Sequence, residues 1–504
     1  MARQFIMLMT DTTRKDMLGC YGDERMKTPN LDKLAEEGLR FDNAYTTQPV
    51  CGPARSGLFT GTFPHTNGVT TNCVPLGLNV KTIGQRLTDN GVKAAYIGKW
   101  HLDGGDYFGL GQCPEGWDPE YWFDMHNYLE EMTDDERMAS RQSSSAFENG
   151  GWPEEMCYAH RSADKALDYI QKHKDDDFFL VLSFDEPHGP CLCPAPFNTM
   201  YKDFHFEDDA VFHEDFEGKP LMQRLWSGAD ADKDPSAFCQ ASDSLSLFLG
   251  CNSYADYEFG RVIDLIDDVC PDATVMFTSD HGDMLGAHRL QGKNAAFYKE
   301  ITNIPFIIRD GKNSQKGVVD FPTSHIDVAP TVLEFFGIPV PKLLEGKSMM
   351  PTLKDPSVKT NDYVFTEFTR YEVDHDGFGG LQMMRACTDG RYKLTINFTD
   401  TDELYDLEGD PAERKNLIDD PAYAEIRDRM HDEILEHMND TRDLYRGYQW
   451  YCRPWRKDAI ARWQNDGCTR QRENEEYEPR QWDYDTGLPM KEAIRGKKLY
   501  DVKN

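Results

Sequence analysis

The sequence contains no apolar run approaching the roughly 18 residues that a bilayer-spanning helix needs, so a membrane protein of that kind is not expected. It is also poor in positive charge. Its 55 Lys and Arg face 88 Asp and Glu, and the formal net charge of −33 argues against nucleic acid or an anionic membrane surface as partner. No leader is evident, because Met1-Ala2-Arg3-Gln4 runs straight into the apolar Phe5-Ile6-Met7-Leu8. The 13 cysteines are odd in number and follow no framework spacing, which fits reduced thiols better than a disulfide scaffold. These absences share one expectation, a cytoplasmic protein.

What is present suffices for a large core. At 504 residues with 39% hydrophobic content, the chain can build one extensive α/β unit and a smaller second one. Apolar strand-like runs alternate with helical stretches at 30–37, 81–90, 162–173 and 253–268, which predicts a large, mostly parallel sheet with helices on both faces. Beyond 345–348 the pattern changes to short alternating strands at 363–368, 383–388 and 392–398, the last two joined at Asp389-Gly390. With a helix at 423–438 they predict a smaller C-terminal subdomain built on an antiparallel sheet. The chain thus divides into a main domain over 1–360, an α+β subdomain over 361–445 and an aromatic-rich extension over 446–504. Segments 104–156 and 194–233 read as insertions over a cleft.

Several segments carry chemistry. In Cys51-Gly52-Pro53-Ala54-Arg55-Ser56, Pro53 suits the first turn of a helix, which predicts a helix over 53–58 with Cys51 at its N-terminus. Unpaired N–H groups and the helix dipole favour an anion there. Arg55, one turn on, is expected to lean back and hold position 51. Phe5-Ile6-Met7-Leu8-Met9-Thr10 ends at Asp11, and Ala273-Thr274-Val275-Met276-Phe277-Thr278-Ser279 ends at Asp280-His281, each reading as a buried strand with its ligand-bearing end exposed to a cleft. Two carboxylates and one imidazole suit a hard divalent cation: calcium first, manganese or magnesium as alternatives. The plainer reading of each aspartate is a helix cap.

Cys51-x-Pro53-x-Arg55 followed by Thr60-Gly61 resembles the signature of the type I sulfatases in the alkaline phosphatase superfamily. The resemblance implies an alkaline-phosphatase-like fold and oxidation of Cys51 to formylglycine by a maturation enzyme. Its implied metal ligands are Asp11, Cys51, Asp280 and His281. It also implies sulfate-binding lysines at Lys99, in Gly98-Lys99-Trp100-His101, and at Lys293, in Gly292-Lys293-Asn294. His188, in Pro187-His188-Gly189-Pro190, would protonate the leaving alcohol, and His101 would take the proton whose loss expels sulfate. Lys99 and His101, two apart, are expected to point the same way on an extended backbone. Thr12 departs from the pattern, since many members carry a second aspartate there.

The substrate class implied is a small sulfate ester that has been imported, foremost a sulfated mono- or disaccharide, glycosaminoglycan- or mucin-derived sugars included. Choline sulfate and phosphonate or phosphate esters are the alternatives on the same site, and an inactive binding protein is the reading if Cys51 stays a thiol. Because the chain is so acidic, Arg55, Lys99, His101, His188, Lys293 and the metal must reverse the field locally, within a screening length of about 8 Å. The C-terminal extension can wrap a neighbouring subunit or complete the pocket, so a homo-oligomer is left open.

Overall fold

The computed structural model describes residues 2–72, 74–148, 151–228, 233–311, 314–372 and 380–459. Its strands, in chain order, are β1 (Gln4–Asp11), β2 (Leu39–Phe41), β3 (Ala44–Tyr45), β4 (Lys93–Gly98), β5 (Phe178–Pro187), β6 (Thr274–Ser279), β7 (Phe306–Asp310), β8 (Gly317–Val319), β9 (Thr323–Ser324), β10 (Val364–Phe368), β11 (Met384–Thr388), β12 (Tyr392–Asn397) and β13 (Glu403–Asp406). The main sheet has seven strands in the order β4-β5-β1-β6-β7-β2-β8. β4, β5, β1 and β6 run parallel, and β7 alone is antiparallel to both of its neighbours. The sheet is therefore mostly parallel, as its apolar runs predict.

β1 lies between β5 and β6, and all eight of its residues are buried. Alternation sends Ile6 and Leu8 into a cluster with helices Tyr158–His173 and Asp243–Val269, while Phe5, Met7 and Met9 pack on the other side with Leu58, Phe59, Val332 and Leu333. Both faces being covered, the strand reads as a continuous apolar run. The helix expected at 253–268 begins earlier, at Asp243, where the Ser242 hydroxyl accepts from Leu245 N–H at 3.2 Å. Serines and Gly250 weaken the helical signal there. Gly250 is needed because the Phe197 carbonyl would lie 2.3 Å from a Cβ at that position.

The second sheet, β10-β11-β12-β13, is antiparallel, and Gly390 takes the left-handed conformation (φ 97°) in the β11–β12 turn. Helix Ala424–Asp440 lays Met430, Ile434, Leu435 and Met438 on Leu394, Ile396 and Leu404. Trp450, in the first part of the C-terminal extension, completes this core, and the remainder of that extension lies outside the described residues. No helix among the described residues is long and apolar enough to cross a membrane. The C-terminal ends of β4, β5, β1 and β6 open on one edge, where parallel sheets place their ligands.

Candidate active site

After helix α1 (Pro29–Glu37), helix α2 spans Cys51–Thr60, with Val50 extended before it, so Cys51 is the first helical residue and the helix starts two positions before Pro53. Gly52 N–H donates to Asn72 Oδ1 at 2.8 Å. Cys51 Sγ lies 3.2 Å from His281 Nε2 and 3.7 Å from Asp11 Oδ1. The β1 and β6 ends thus deliver their ligand-type residues to the start of α2.

Arg55 is fully buried, and its guanidinium ties the edge together instead of reaching back to Cys51. It donates to Asp280 Oδ2 at 2.9 Å, to Asp11 Oδ2 at 3.1 Å, to the Lys99 carbonyl at 2.6 Å and to Ser183 Oγ at 3.0 Å. Lys99 Nζ sits 2.7 Å from Asp11 Oδ2 and 3.0 Å from Asp185 Oδ1. Three buried carboxylates are thereby paired with two buried cations, which such an apolar setting demands.

These contacts set the protonation states. Burial would raise Asp11, but Lys99, His188, Arg55 and Lys293 together hold its carboxyl well below the usual range. Burial and the neighbouring Asp11 push Asp280 up. Burial and Asp11 also push up the Cys51 thiol, yet Lys293, Lys99 and His281 outweigh them and bring it to about 7. Burial, reinforced by Lys99 and Arg55, lowers His101 to about 3, and burial with Lys99 and Lys293 holds His188 well below the ordinary imidazole value.

His101 does not continue the strand. Its backbone is left-handed (φ 58°), so the extended relation to Lys99 expected from spacing fails. Among the described residues, the buried ring of His101 has no hydrogen-bond partner on either nitrogen. His188 is half-buried and its Nδ1–H donates to the Gly189 carbonyl at 2.8 Å, leaving Nε2 to exchange a proton. Its ring stacks on Tyr107, whose hydroxyl bonds Asp185. His188 and Lys293 open onto a cavity of about 360 Å³ that also meets Thr12, Trp226, Asp283 and Tyr371.

The donor set fits a divalent cation. Ligand atoms of Asp11, Cys51, Asp280 and His281 all lie within 4.8 Å of one another, and all four residues are buried. His281 Nδ1–H donates to the Gly282 carbonyl at 2.8 Å, which fixes the tautomer with a free lone pair on Nε2. Thr12 offers its backbone N–H to Asp280 Oδ1 at 3.2 Å, so it orients a carboxylate without adding one.

All the residues singled out from sequence meet at this edge. Sequence reasoning missed Asp185, Asn72, Tyr107, Tyr371 and Trp226. Asp185 carried a signal, a carboxylate at the end of a buried strand, whereas the others lie in segments with no periodic pattern.

A family model described as Sulfatase matches residues 3–338, and one described as N-sulphoglucosamine sulphohydrolase, C-terminal, matches residues 286–440. The chain is 43% identical over 494 residues to an uncharacterized sulfatase, YidJ, of Escherichia coli (strain K12), covering 96% of each protein. It is 25% identical to an N-acetylglucosamine-6-O-sulfatase of Bacteroides thetaiotaomicron, over 88% of this chain and 86% of that one. Its fold is similar to that of a protein solved in complex with its substrate D-glucosamine-2-N,6-O-disulfate, with a TM-score of 0.72 at 20% identity, covering 88% of this chain and 99% of the other.

Proposed function

The chain belongs to the sulfatase family, and on that premise we propose that it removes sulfate from a small sulfated carbohydrate, using a formylglycine made from Cys51 and a divalent cation, calcium in the first instance. The observation that carries the reading is the convergence of Cys51, Asp11, Asp280 and His281 at the start of α2 beneath two lysines. Formylglycine at position 51 would supply a hydrated aldehyde, a hydroxyl nucleophile beside a second hydroxyl whose proton can be removed. A divalent cation would be held by Asp11, Asp280, His281 and position 51 and would supply positive charge for the sulfuryl oxygens.

The chain's own groups do the rest. Asp11, held ionised, and Arg55, locked between both carboxylates, keep the edge rigid, so little reorganisation accompanies the reaction. Lys99 and Lys293 hold the non-bridging oxygens. Both lysines also depress His188, and an arriving sulfate neutralises them, which raises the proton affinity of His188 when its proton is needed by the leaving oxygen. His101, buried and neutral with both nitrogens free, is suited to accept the proton of the second hydroxyl. The division into a catalytic domain over 1–360, an α+β subdomain over 361–445 and an extension over 446–504 belongs to the same proposal.

The test is sulfate release by the matured enzyme, stripped with chelator and reloaded with Ca2+, Mn2+ or Mg2+, from glucose 6-sulfate and from choline sulfate. Release from the sugar, lost on stripping and restored by the cation, is expected. Release from choline sulfate alone would overturn the carbohydrate reading.

A further inference from the structure

The alcohol that departs with its oxygen must be held beyond Lys293 and His188, and the cavity there has walls of unequal chemistry. The lining includes two aromatic side chains, half-buried Trp226 and buried Phe248. It also includes the polar side chains of Asp283, Gln291 and Asn294. Asp283 accepts two backbone N–H groups, from Leu285 at 2.9 Å and Gly292 at 3.1 Å, both on Oδ1, so Oδ2 keeps its acceptor capacity. Among the described residues Lys293 is the lining's only Lys or Arg, and the sulfate claims it.

Trp226 is a built feature. It lies in the helix Leu221–Ser227, and its Nε1–H donates to the Gln291 carbonyl at 3.0 Å, which sets the indole beside that residue. The helix is pinned to the hairpin region of the second sheet, where Met222 N–H donates to Asp400 Oδ2 at 3.2 Å and Gln223 Nε2 to Glu403 Oε1 at 3.0 Å. The helix that carries the indole is therefore anchored to the C-terminal sheet.

We infer that this cavity selects a monosulfated pyranose without a second anionic group, its apolar ring face on the Trp226 indole and its hydroxyl edge on Asp283, Gln291 and Asn294. The inference rests on the sulfatase reading for the position of the sulfate. A pyranose has one C–H-rich face and a polar rim, which match a lining that combines two aromatic with three polar side chains. A second sulfate or a carboxylate would meet Asp283 with no cation left to pair it. A quaternary ammonium would find the aromatic side chains but offer Gln291 and Asn294 no hydrogen-bonding group.

Binding is measured by calorimetry on the Cys51→Ala protein in Ca2+, with glucose 6-sulfate, glucosamine 2-N,6-O-disulfate and choline sulfate as probes. Glucose 6-sulfate is expected to bind most tightly. Trp226→Ala should cut its preference over choline sulfate about tenfold, and Trp226→Phe, which keeps a ring but drops the N–H to Gln291, by no more than about threefold. Asp283→Asn should narrow the gap between the mono- and disulfate. An unchanged preference in Trp226→Ala, a tighter disulfate or choline sulfate, or no binding by any probe overturns the inference. Sulfate release by the matured wild-type enzyme from the same probes separates the two claims. Release without any dependence of binding on Trp226 sinks the aromatic platform alone, and absence of release despite the predicted binding pattern sinks the mechanism alone.

Discussion

The two ends of the cavity are built on different plans. At the reactive end, Asp11, Arg55, Asp280 and His281 are wholly buried, and they come from strand ends and the first turns of α2. At the alcohol end, Trp226, Asp283 and Tyr371 are half-buried and come from an insertion, a turn and the segment after β10. The sheet backbone fixes the chemistry, since a charge taken out of water tolerates little displacement from its partners. On the proposed reading, selectivity falls to segments outside that buried network, the Trp226 helix on the second sheet among them, where half-exposed side chains can differ without unpairing a buried ion.

The sharpest way to break that contrast is to remove the reactive atom. Cys51→Ala should lose all turnover and keep the wild-type melting temperature within a few degrees, since a small buried side chain is only shortened. Activity retained above background in a sulfate-release assay would end the formylglycine account. Next, Arg55→Ala leaves Asp11 and Asp280 without their shared guanidinium and should cost about 3–5 kcal/mol in urea unfolding, while Gln291→Ala at the other end should stay within about 0.5 kcal/mol. Equal losses at both ends would erase the distinction between them.

His188 lies where the ends meet, and it sharpens the comparison kinetically. His188→Gln should lower kcat about 100-fold on a sugar sulfate, whose alcohol needs a proton, and much less on 4-nitrophenyl sulfate, whose phenolate leaves unaided. Equal losses on both substrates would reassign the residue to binding.

The smallest effect tests the second sheet as an anchor. His431 is fully buried and donates to the Trp450 carbonyl at 2.7 Å; burial lowers it to about 4. A histidine whose folded pKa lies below its unfolded value near 6.5 is neutral in the native protein and gains a proton on unfolding. Its contribution is complete above about pH 6.5 and is lost as pH falls toward 4. His431→Gln, whose amide can keep the bond to Trp450, should flatten the loss of stability between pH 6.5 and 5.5 by up to about 1.4 kcal/mol. An unchanged slope in chemical denaturation would show that His431 titrates alike in both states.

Legibility in the sequence followed the same division. Asp11, Asp280 and His281 could be read because a buried parallel strand is a largely apolar run whose end is marked by its first acidic residue. Cys51 could be read because Cys51-x-Pro53-x-Arg55 with Thr60-Gly61 resembles the family signature, while Pro53 marked only the helix start. The partners of Arg55 could not, since local spacing favours position 51 while the strand ends that capture the guanidinium are remote in sequence. The left-handed turn at His101 follows a strand-like run with nothing to mark the break. Trp226 and Tyr371 reach the cavity through contacts between distant segments, and no periodicity records those.

The central claim is that position 51, once converted, performs the reaction. Peptide mass spectrometry across residue 51 and sulfate release from glucose 6-sulfate should be measured on preparations of graded maturation. The account predicts a loss of about 18 Da at Cys51 and a release rate proportional to the converted fraction. Full activity with an unmodified thiol, or complete conversion with no release of sulfate from any ester, would contradict it.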